Sequence, residues 1–536
     1  MTVSKMKNIE ASLKGASVLW RSVLAFVSGA VMALSLPPVG VFAVLWFSFP
    51  AVFFLLKTAE TRKQGFWLGW LFGFGFFLAG LYWVTFAMFV DLAAWWWFIP
   101  VALLAGPGAL AFYIAVFGLS MFEVFKRFPG GAPVFMFAAL WSILDFLRGV
   151  LFTGFPWNAT GYAWMSSLAV SQNLSWAGVH GLGLITVLCA VLPVFYMLDV
   201  AKWKKVAMPI VSVLVPLLLW GWGANRLSDV PSIPTEGQLL RVVQAHVPQK
   251  EKWDHKKQPE HLKTYFRMSG QPSKIVGQDG KTVSPAYIIW PETALTADIG
   301  SYPAVADYLR RSLPQDSVLL TGTIHGTGGD VFYNTLLALD VPSGKTAYYH
   351  KSHLVPFGEY VPFREILSFG PLGAVLSGFG EFVPGTGPYT ADVFGIPSFS
   401  PLICYEIIFS GNVTSRSDER PKWILNVTND GWYGHTSGPY QHYAFTRARA
   451  IEEGLPVVRA ANTGISAVID AYGQAVGSVG LGHAGVIDTY LPESLASTPY
   501  ARYRHCFFSV GVLFLLLLSL FCKIRAKKPF EKPENS

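Results

Sequence analysis

Charge is the first thing this sequence lacks. Only 14% of its 536 residues are charged, against about 25% in an ordinary soluble domain, while 52% are hydrophobic and 15% aromatic. That balance excludes a wholly soluble chain, and a large part of it must meet lipid. Cysteine is nearly as scarce. Of the four cysteines, Cys189, Cys506 and Cys522 lie within or at the ends of apolar runs, so Cys404 has no partner at its own depth and a structural disulfide there is not expected. Fixed-period repeats and low-complexity tracts are missing. So is compact metal-ligand spacing: His350, His353, His435 and His442 have no matching carboxylate, and neither a metal nor another cofactor is expected. The formal net charge of +8 sits beside the apolar runs instead of forming a basic face, which points to membrane lipid and away from nucleic acid.

What is present, above all, is apolar runs. Crossing a hydrocarbon core takes about 20 helical residues, and about eight runs approach that length: Val18 to Leu36, Val41 to Leu56, Gly65 to Met88, Trp95 to Val124, Ala132 to Leu151, Leu174 to Asp199, Val206 to Ala224 and Phe507 to Phe521. The first ends in Ser-Leu-Pro-Pro, has no small-x-small cleavage pattern and leads into the next run, so it reads as a retained span. Lys5, Lys7 and Lys14, then Lys57, Arg62 and Lys63, then Lys126 and Arg127, then Lys202, Lys204 and Lys205 all fall on one side when the spans alternate. Positive loops stay in the cytoplasm. Both termini are therefore expected there, and residues from about 225 to 503 are expected outside it.

That outer segment, about 275 residues, is large enough for a core of its own. Strand-like runs appear at Leu239 to Val243, Ala286 to Trp290, Ser317 to Thr321, Thr335 to Leu339, Leu402 to Tyr405, Trp423 to Val427 and Ser466 to Ile469. His261 to Met268, Pro303 to Ser312 and Gln441 to Gly454 have helical spacing, the last with Arg447 and Glu452 on polar faces. The expected organisation is a helical membrane domain over 1–225, a mixed α and β domain over 226–502, and a returning span with a basic tail over 503–536.

Three stretches of the outer segment set a reactive side chain at the end of an apolar run: Ile288-Ile289-Trp290-Pro291-Glu292, His350-Lys351-Ser352-His353-Leu354-Val355-Pro356-Phe357-Gly358-Glu359, and Leu402-Ile403-Cys404-Tyr405-Glu406. Singly, each has a plain structural explanation, since a lone Cys in a strand is more often a small core residue. Together, with Asn429-Asp430-Gly431-Trp432-Tyr433-Gly434 following in order, they resemble the nitrilase superfamily. That resemblance implies an αββα sandwich with a Glu-Lys-Cys triad made of Glu292, Lys351 and Cys404, spaced 59 and 53 residues apart.

The chemistry calls for such a set. A thiol with a pKa near 8.5 is mostly protonated at neutral pH and needs a base as it attacks, a role for Glu292. The oxyanion that forms needs fixed donors, for which Lys351 and the backbone N–H of Tyr405 are candidates. The resemblance implies a second carboxylate, Glu359, holding Lys351, and Glu406 belongs to the same supporting group.

Nitrilase relatives are mostly soluble hydrolases, and the spans set this chain apart. With Gly154-Phe155-Pro156-Trp157-Asn158-Ala159-Thr160-Gly161-Tyr162 on a predicted outer loop, the whole chain resembles the apolipoprotein N-acyltransferase family of bacterial inner membranes. The resemblance implies a phospholipid acyl donor, typically phosphatidylethanolamine, a thioester on Cys404, and a diacylated apolipoprotein whose N-terminal amine takes the acyl chain. Trp253, Asn334, Trp432 and Tyr440 are candidate pocket residues. The apolar, glycine-rich segment from Val361 to Pro384, with Phe369 and Phe379, is a candidate lid admitting acyl chains. Asp145 and Arg148, three apart in the fifth run, read as an ion pair. Two alternatives stay open: a tethered amidase that lets water resolve the thioester, and a lipid transporter or binding protein without catalysis.

Overall fold

The computed structural model describes residues 12–228, 230–231, 234–277, 279–296, 303–326, 331–362, 381–417 and 419–527. Phe369 and Phe379, and with them most of the candidate lid, lie outside the described residues. The chain divides into two compact units, one formed by Met1–Asp229 with Pro499–Ser536 and the other by Val230–Thr498.

The first unit is helical. Each apolar run read from the sequence is helix, and among the described residues five helical stretches are long and apolar enough to cross a membrane: Val18–Ser35, Arg62–Arg127, Leu174–Tyr196, Lys202–Leu227 and Cys506–Arg525. Arg62–Arg127 is too long for one crossing; it holds two long helices, Arg62–Leu81 and Ile99–Arg127, with tighter turns from Tyr82 to Phe98 between them. Phe42–Lys57 and Ala132–Arg148 are shorter apolar helices. Glycine lets these helices approach closely, as small residues do in lipid. A Cβ on Gly69 would lie 2.4 Å from the Ile114 carbonyl oxygen, and one on Gly75 2.1 Å from that of Phe26.

The ion pair read at Asp145 and Arg148 is internal and structural. Arg148 is 2% exposed; it pairs with Asp145 and donates to the carbonyls of Phe155 and Trp157. Asp145 in turn accepts from the Thr160 backbone N–H at 3.0 Å. Besides bonding each other, both side chains bond the Gly154–Tyr162 segment, so the charges hold a loop in shape where water is scarce.

The second unit is a two-sheet sandwich with helices outside, the αββα architecture. Its strands are β1 (Leu239–Gln244), β2 (Tyr287–Ile289), β3 (Val318–Gly326), β4 (Phe332–Asp340), β5 (Thr346–His350), β6 (Phe399–Ile403), β7 (Trp423–Thr428), β8 (Val457–Ala461), β9 (Ser466–Ile469), β10 (Ala475–Val479) and β11 (Gly485–Tyr490). One sheet has the order β11-β1-β2-β3-β4-β5 and the other β10-β9-β8-β7-β6. β1, β2 and β3 run parallel, as do β6, β7 and β8. Val242, Ile289, Leu320 and Leu336 of the first sheet meet Ile403, Leu425, Val458 and Val468 of the second in one core. Alternate residues on the other side, Val243, Ile288, Leu319 and Leu337, pack with Tyr265, Met268 and Leu309 from the helices Gln258–Gly270 and Pro303–Ser312. This is the period-2 signature of strands buried on both faces.

Two expectations about this unit change. The run Leu402 to Tyr405 is strand only to Ile403; Cys404 opens a 3₁₀ turn, Cys404–Ile408. Glu452 does not face solvent. The helix Ser437–Glu453 is buried along most of its length, and Glu452 is fully buried, pairing with Arg449 at 2.8 Å and accepting from the Ser410 hydroxyl at 2.9 Å. A charge pair inside a packed helix mimics the polar stripe of a solvated one.

Candidate active site

Reactive side chains gather where parallel strands end. β6 stops at Ile403, and Cys404 takes a φ of +51°, a conformation that costs a non-glycine residue about 1–3 kcal/mol and persists only where its surroundings enforce it. Glu406 supplies part of that enforcement. Its Oε2 accepts from the Ile403 N–H at 2.7 Å, while its Oε1 accepts from the Tyr349 hydroxyl and from the Ser352 and His353 backbone N–H groups. One carboxylate thus braces the Cys404 turn against the loop that carries Lys351. Burial pushes the Glu406 carboxyl above its usual range, and those donors pull against the shift.

Below the turn, the Cys404 carbonyl meets the His442 ring, with Nε2 at 3.2 Å, and the other ring nitrogen lies 2.9 Å from Asp430 Oδ1. Arg459 donates to Asp430 at 2.6 Å and to Asn426 Oδ1 at 2.8 Å. Burial opposes the Asp430 charge, yet Arg459 and His442 hold its carboxyl down to about 2.

Glu292 follows β2 and is 7% exposed. The bend Glu292–Thr293, with Thr293 at φ +47°, lies against Gly322 of β3, where a Cβ would come within 2.5 Å of the Glu292 Cα. Only glycine allows that approach. Lys351 follows β5 and is 1% exposed; its Nζ lies 2.8 Å from Glu359 Oε1 and 3.8 Å from Glu292 Oε1. Burial disfavours its charge, but Glu359, Glu292 and Cys404 together raise its pKa, so it is a firm cation. Glu359 is itself fixed, its Oε2 accepting from the Val355 N–H at 2.7 Å.

Asn334, read as a pocket residue, joins the two carboxylates. Its Nδ2 donates at 2.8 Å to both Glu292 Oε1 and Glu359 Oε1. Trp253, Trp432 and Tyr440 are 46%, 41% and 39% exposed, and no hydrogen bond among the described residues ties them to Glu292, Lys351 or Cys404. Tyr405 is buried beside the rings of His353 and Phe409.

Cys404 as a residue is 6% exposed. Burial first, then Glu292, push its pKa up to about 12, although Lys351 and a hydrogen bond with Thr428 oppose the rise. The resting group is therefore a thiol, and for it to act as a nucleophile its proton would have to pass to a neighbouring base during the attack.

The sequence reading does not single out Lys252, Asn426 or Arg459, and it weighs His442 only as a metal ligand. Arg459 had a visible signal, a lone charge within Val457-Val458-Arg459-Ala460-Ala461, because a cation on a buried strand needs a buried anion.

Residues 28–192 match the family described as Apolipoprotein N-acyltransferase N-terminal domain, and residues 285–500 match Carbon-nitrogen hydrolase. Among curated relatives, the Apolipoprotein N-acyltransferase of Rhodopseudomonas palustris is 34% identical over 516 residues, covering 94% of this chain and 95% of its own. That of Bradyrhizobium diazoefficiens is 37% identical over 531 residues, covering 95% and 96%. Among solved structures, an amidase from Nesterenkonia sp. AN1 aligns with 18% identity and a TM-score of 0.34, covering 51% of this chain and 99% of that one.

Proposed function

The chain belongs to the apolipoprotein N-acyltransferase family, and from that premise we propose that it moves an acyl chain from a phospholipid to the N-terminal amine of a diacylated apolipoprotein, through a thioester on Cys404. Phosphatidylethanolamine is the proposed donor. The observation that carries the reading is a buried thiol on a strained turn, set among Glu292, Lys351 and Glu359.

The steps follow from the groups present. Glu292 takes the Sγ proton as sulfur adds to the ester carbonyl, and Lys351 with the Tyr405 backbone N–H stabilises the oxyanion. The tetrahedral species collapses, the glycerol oxygen leaves with the proton from Glu292, and a lysophospholipid departs. In the second half-reaction Glu292 takes a proton from the incoming amine, nitrogen adds to the thioester carbonyl, and sulfur leaves as the amide forms, regaining its proton from Glu292. Glu359 and Asn334 hold Lys351 and Glu292 in register. Burial of Cys404 supports transfer over hydrolysis, since the thioester must outlast the wait for a second lipid substrate.

The unit over 226–502 is proposed to lie on the periplasmic face of the bacterial inner membrane, joined to about eight spans, with both termini in the cytoplasm; the placement of Lys and Arg supports this. Both substrates then arrive by diffusion within the membrane. Purified protein given phospholipid and a diacylated lipopeptide should yield N-acylated peptide and lysophospholipid in equal amounts. Free fatty acid without N-acylated peptide would overturn the transfer reaction and favour an amidase-like hydrolase.

A further inference from the structure

Lys252 is buried, 3% exposed, in a loop between β1 and the helix Gln258–Gly270 whose neighbours Lys250 and Trp253 are open to solvent. Its Nζ donates at 2.9 Å to the backbone carbonyl of Glu292. That carbonyl belongs to the bend that presents the proposed base, where Thr293 has a positive φ and Gly322 leaves no room for slack. A lysine with a dry stem and one hydrogen-bond acceptor among the described residues is an expensive way to fix a carbonyl, because desolvating its charge is costly. A neutral donor would serve a purely structural bend. What a lysine adds is charge.

The charge has a use. Glu292 and Glu359 bring two carboxylates to the centre, and Lys351, bonded to Glu359, answers one of them. We propose that Lys252 is the positioning residue for Glu292 and the second cation of the site, holding the base in reach of Cys404 and offsetting the negative charge that passes to sulfur as the thiol is deprotonated. The inference rests on the thioester reading of Cys404.

The groups around Lys252 fit the role. Glu292 and Cys404 both act on it electrostatically in favour of its charge. His261 and Tyr265, on the helix Gln258–Gly270, line a small cavity beside it with Thr293; burial keeps the His261 pKa below its usual value and the Tyr265 pKa above it, so neither brings charge at neutral pH. On its own loop, Glu251 pairs with Lys257 and is turned to solvent. Burial pushes the Lys252 ammonium down to about 8. The cation is present at neutral pH and is lost as pH rises through that value.

The test is the rate at which full-length protein, given phosphatidylethanolamine vesicles and no acceptor, forms the acyl-enzyme between pH 6 and 10. Omitting the acceptor removes its own amine from the titration. Lys252→Met should slow acylation about 100-fold, the scale expected when a catalytic group is misplaced, with half-saturating phospholipid unchanged. Lys252→Arg should restore the rate at pH 7 and abolish the decline that the unaltered protein shows above about pH 8. Wild-type rates in Lys252→Met overturn the proposal. So does an unaltered protein whose rate stays flat from pH 7 to 10, a result that decides the matter even where a variant fails to fold. Failure of the unaltered protein to acylate Cys404 at all would instead sink the thioester reading.

Discussion

Asp430, His442, Arg459 and Asn426 form one buried ionic cluster beneath Cys404, and Glu292, Lys351, Glu359 and Asn334 form another beside it. In the first, both Asp430 oxygens are occupied, Oδ1 by His442 and Thr428 and Oδ2 by Arg459, and the Arg459 and Asp430 side chains are wholly buried. In the second, Lys351 stands 3.8 Å from Glu292, beyond hydrogen-bond reach, and the Asn334 Oδ1 is buried with no hydrogen-bond partner among the described residues. The two Glu side chains keep 10% and 12% exposure. A saturated cluster holds shape. An incompletely satisfied one leaves room for a further partner, as the base proposed at Glu292 requires.

Breaking the second cluster at its base should have the largest effect on chemistry. Glu292→Gln keeps the shape and the contact with Asn334 but cannot take the thiol proton, so acylation should fall about 10⁴-fold, while thermal unfolding stays near that of the unaltered protein. Full activity in Glu292→Gln would dissolve the contrast between the clusters.

Breaking the first cluster should act on stability instead. Arg459→Met leaves Asp430 as an uncompensated buried charge, at a cost of about 3–5 kcal/mol, read by thermal or denaturant unfolding. The Asp430 pKa in the folded protein, about 2, lies below its unfolded value of 3.8, so its stabilisation is complete above the unfolded pKa and fades as pH falls toward 2. Asp430→Asn should lose that dependence.

A smaller effect is expected from Glu359→Gln, which loosens Lys351 without removing base or nucleophile. Acylation should drop about 100-fold, with some loss of stability as well, because the buried Lys351 charge then loses its bonded carboxylate. The subtlest test concerns the thiol alone. With its pKa pushed up to about 12, Cys404 should react with a small alkylating agent at a rate still climbing beyond pH 9, with no plateau near neutrality. A plateau at pH 6–7 would mean a preformed thiolate and a different division of labour with Glu292.

Much of this was legible in the sequence where chemistry and local pattern coincide. Glu292, Lys351 and Cys404 each follow a strand, and the strand ends are marked by Pro, by His and by a change of polarity. The sandwich was legible too, because most of its strands are apolar. β8 was hidden by Arg459 in its middle, and β5 by the polar run Thr346-Ala347-Tyr348-Tyr349-His350. Glu452 looked solvated because a buried ion pair repeats at helical spacing just as a wet one does. Lys252 could not be found from its neighbourhood, since its acceptor lies 40 residues away and burial depends on the packing of the Gln258–Gly270 helix. Asn334 was seen, but as a pocket wall; that it bonds two carboxylates follows from the pairing of β4 with β3 and β5, a matter of register.

The proposed mechanism turns on where the acyl chain waits. Purified protein mixed with phosphatidylethanolamine vesicles and no acceptor, then digested and weighed by mass spectrometry, should carry one acyl adduct on the peptide containing Cys404. Adding a diacylated lipopeptide should discharge it into N-acylated product, and Cys404→Ala should never acquire it. An adduct on another residue, or N-acylated product formed by Cys404→Ala, would contradict the account.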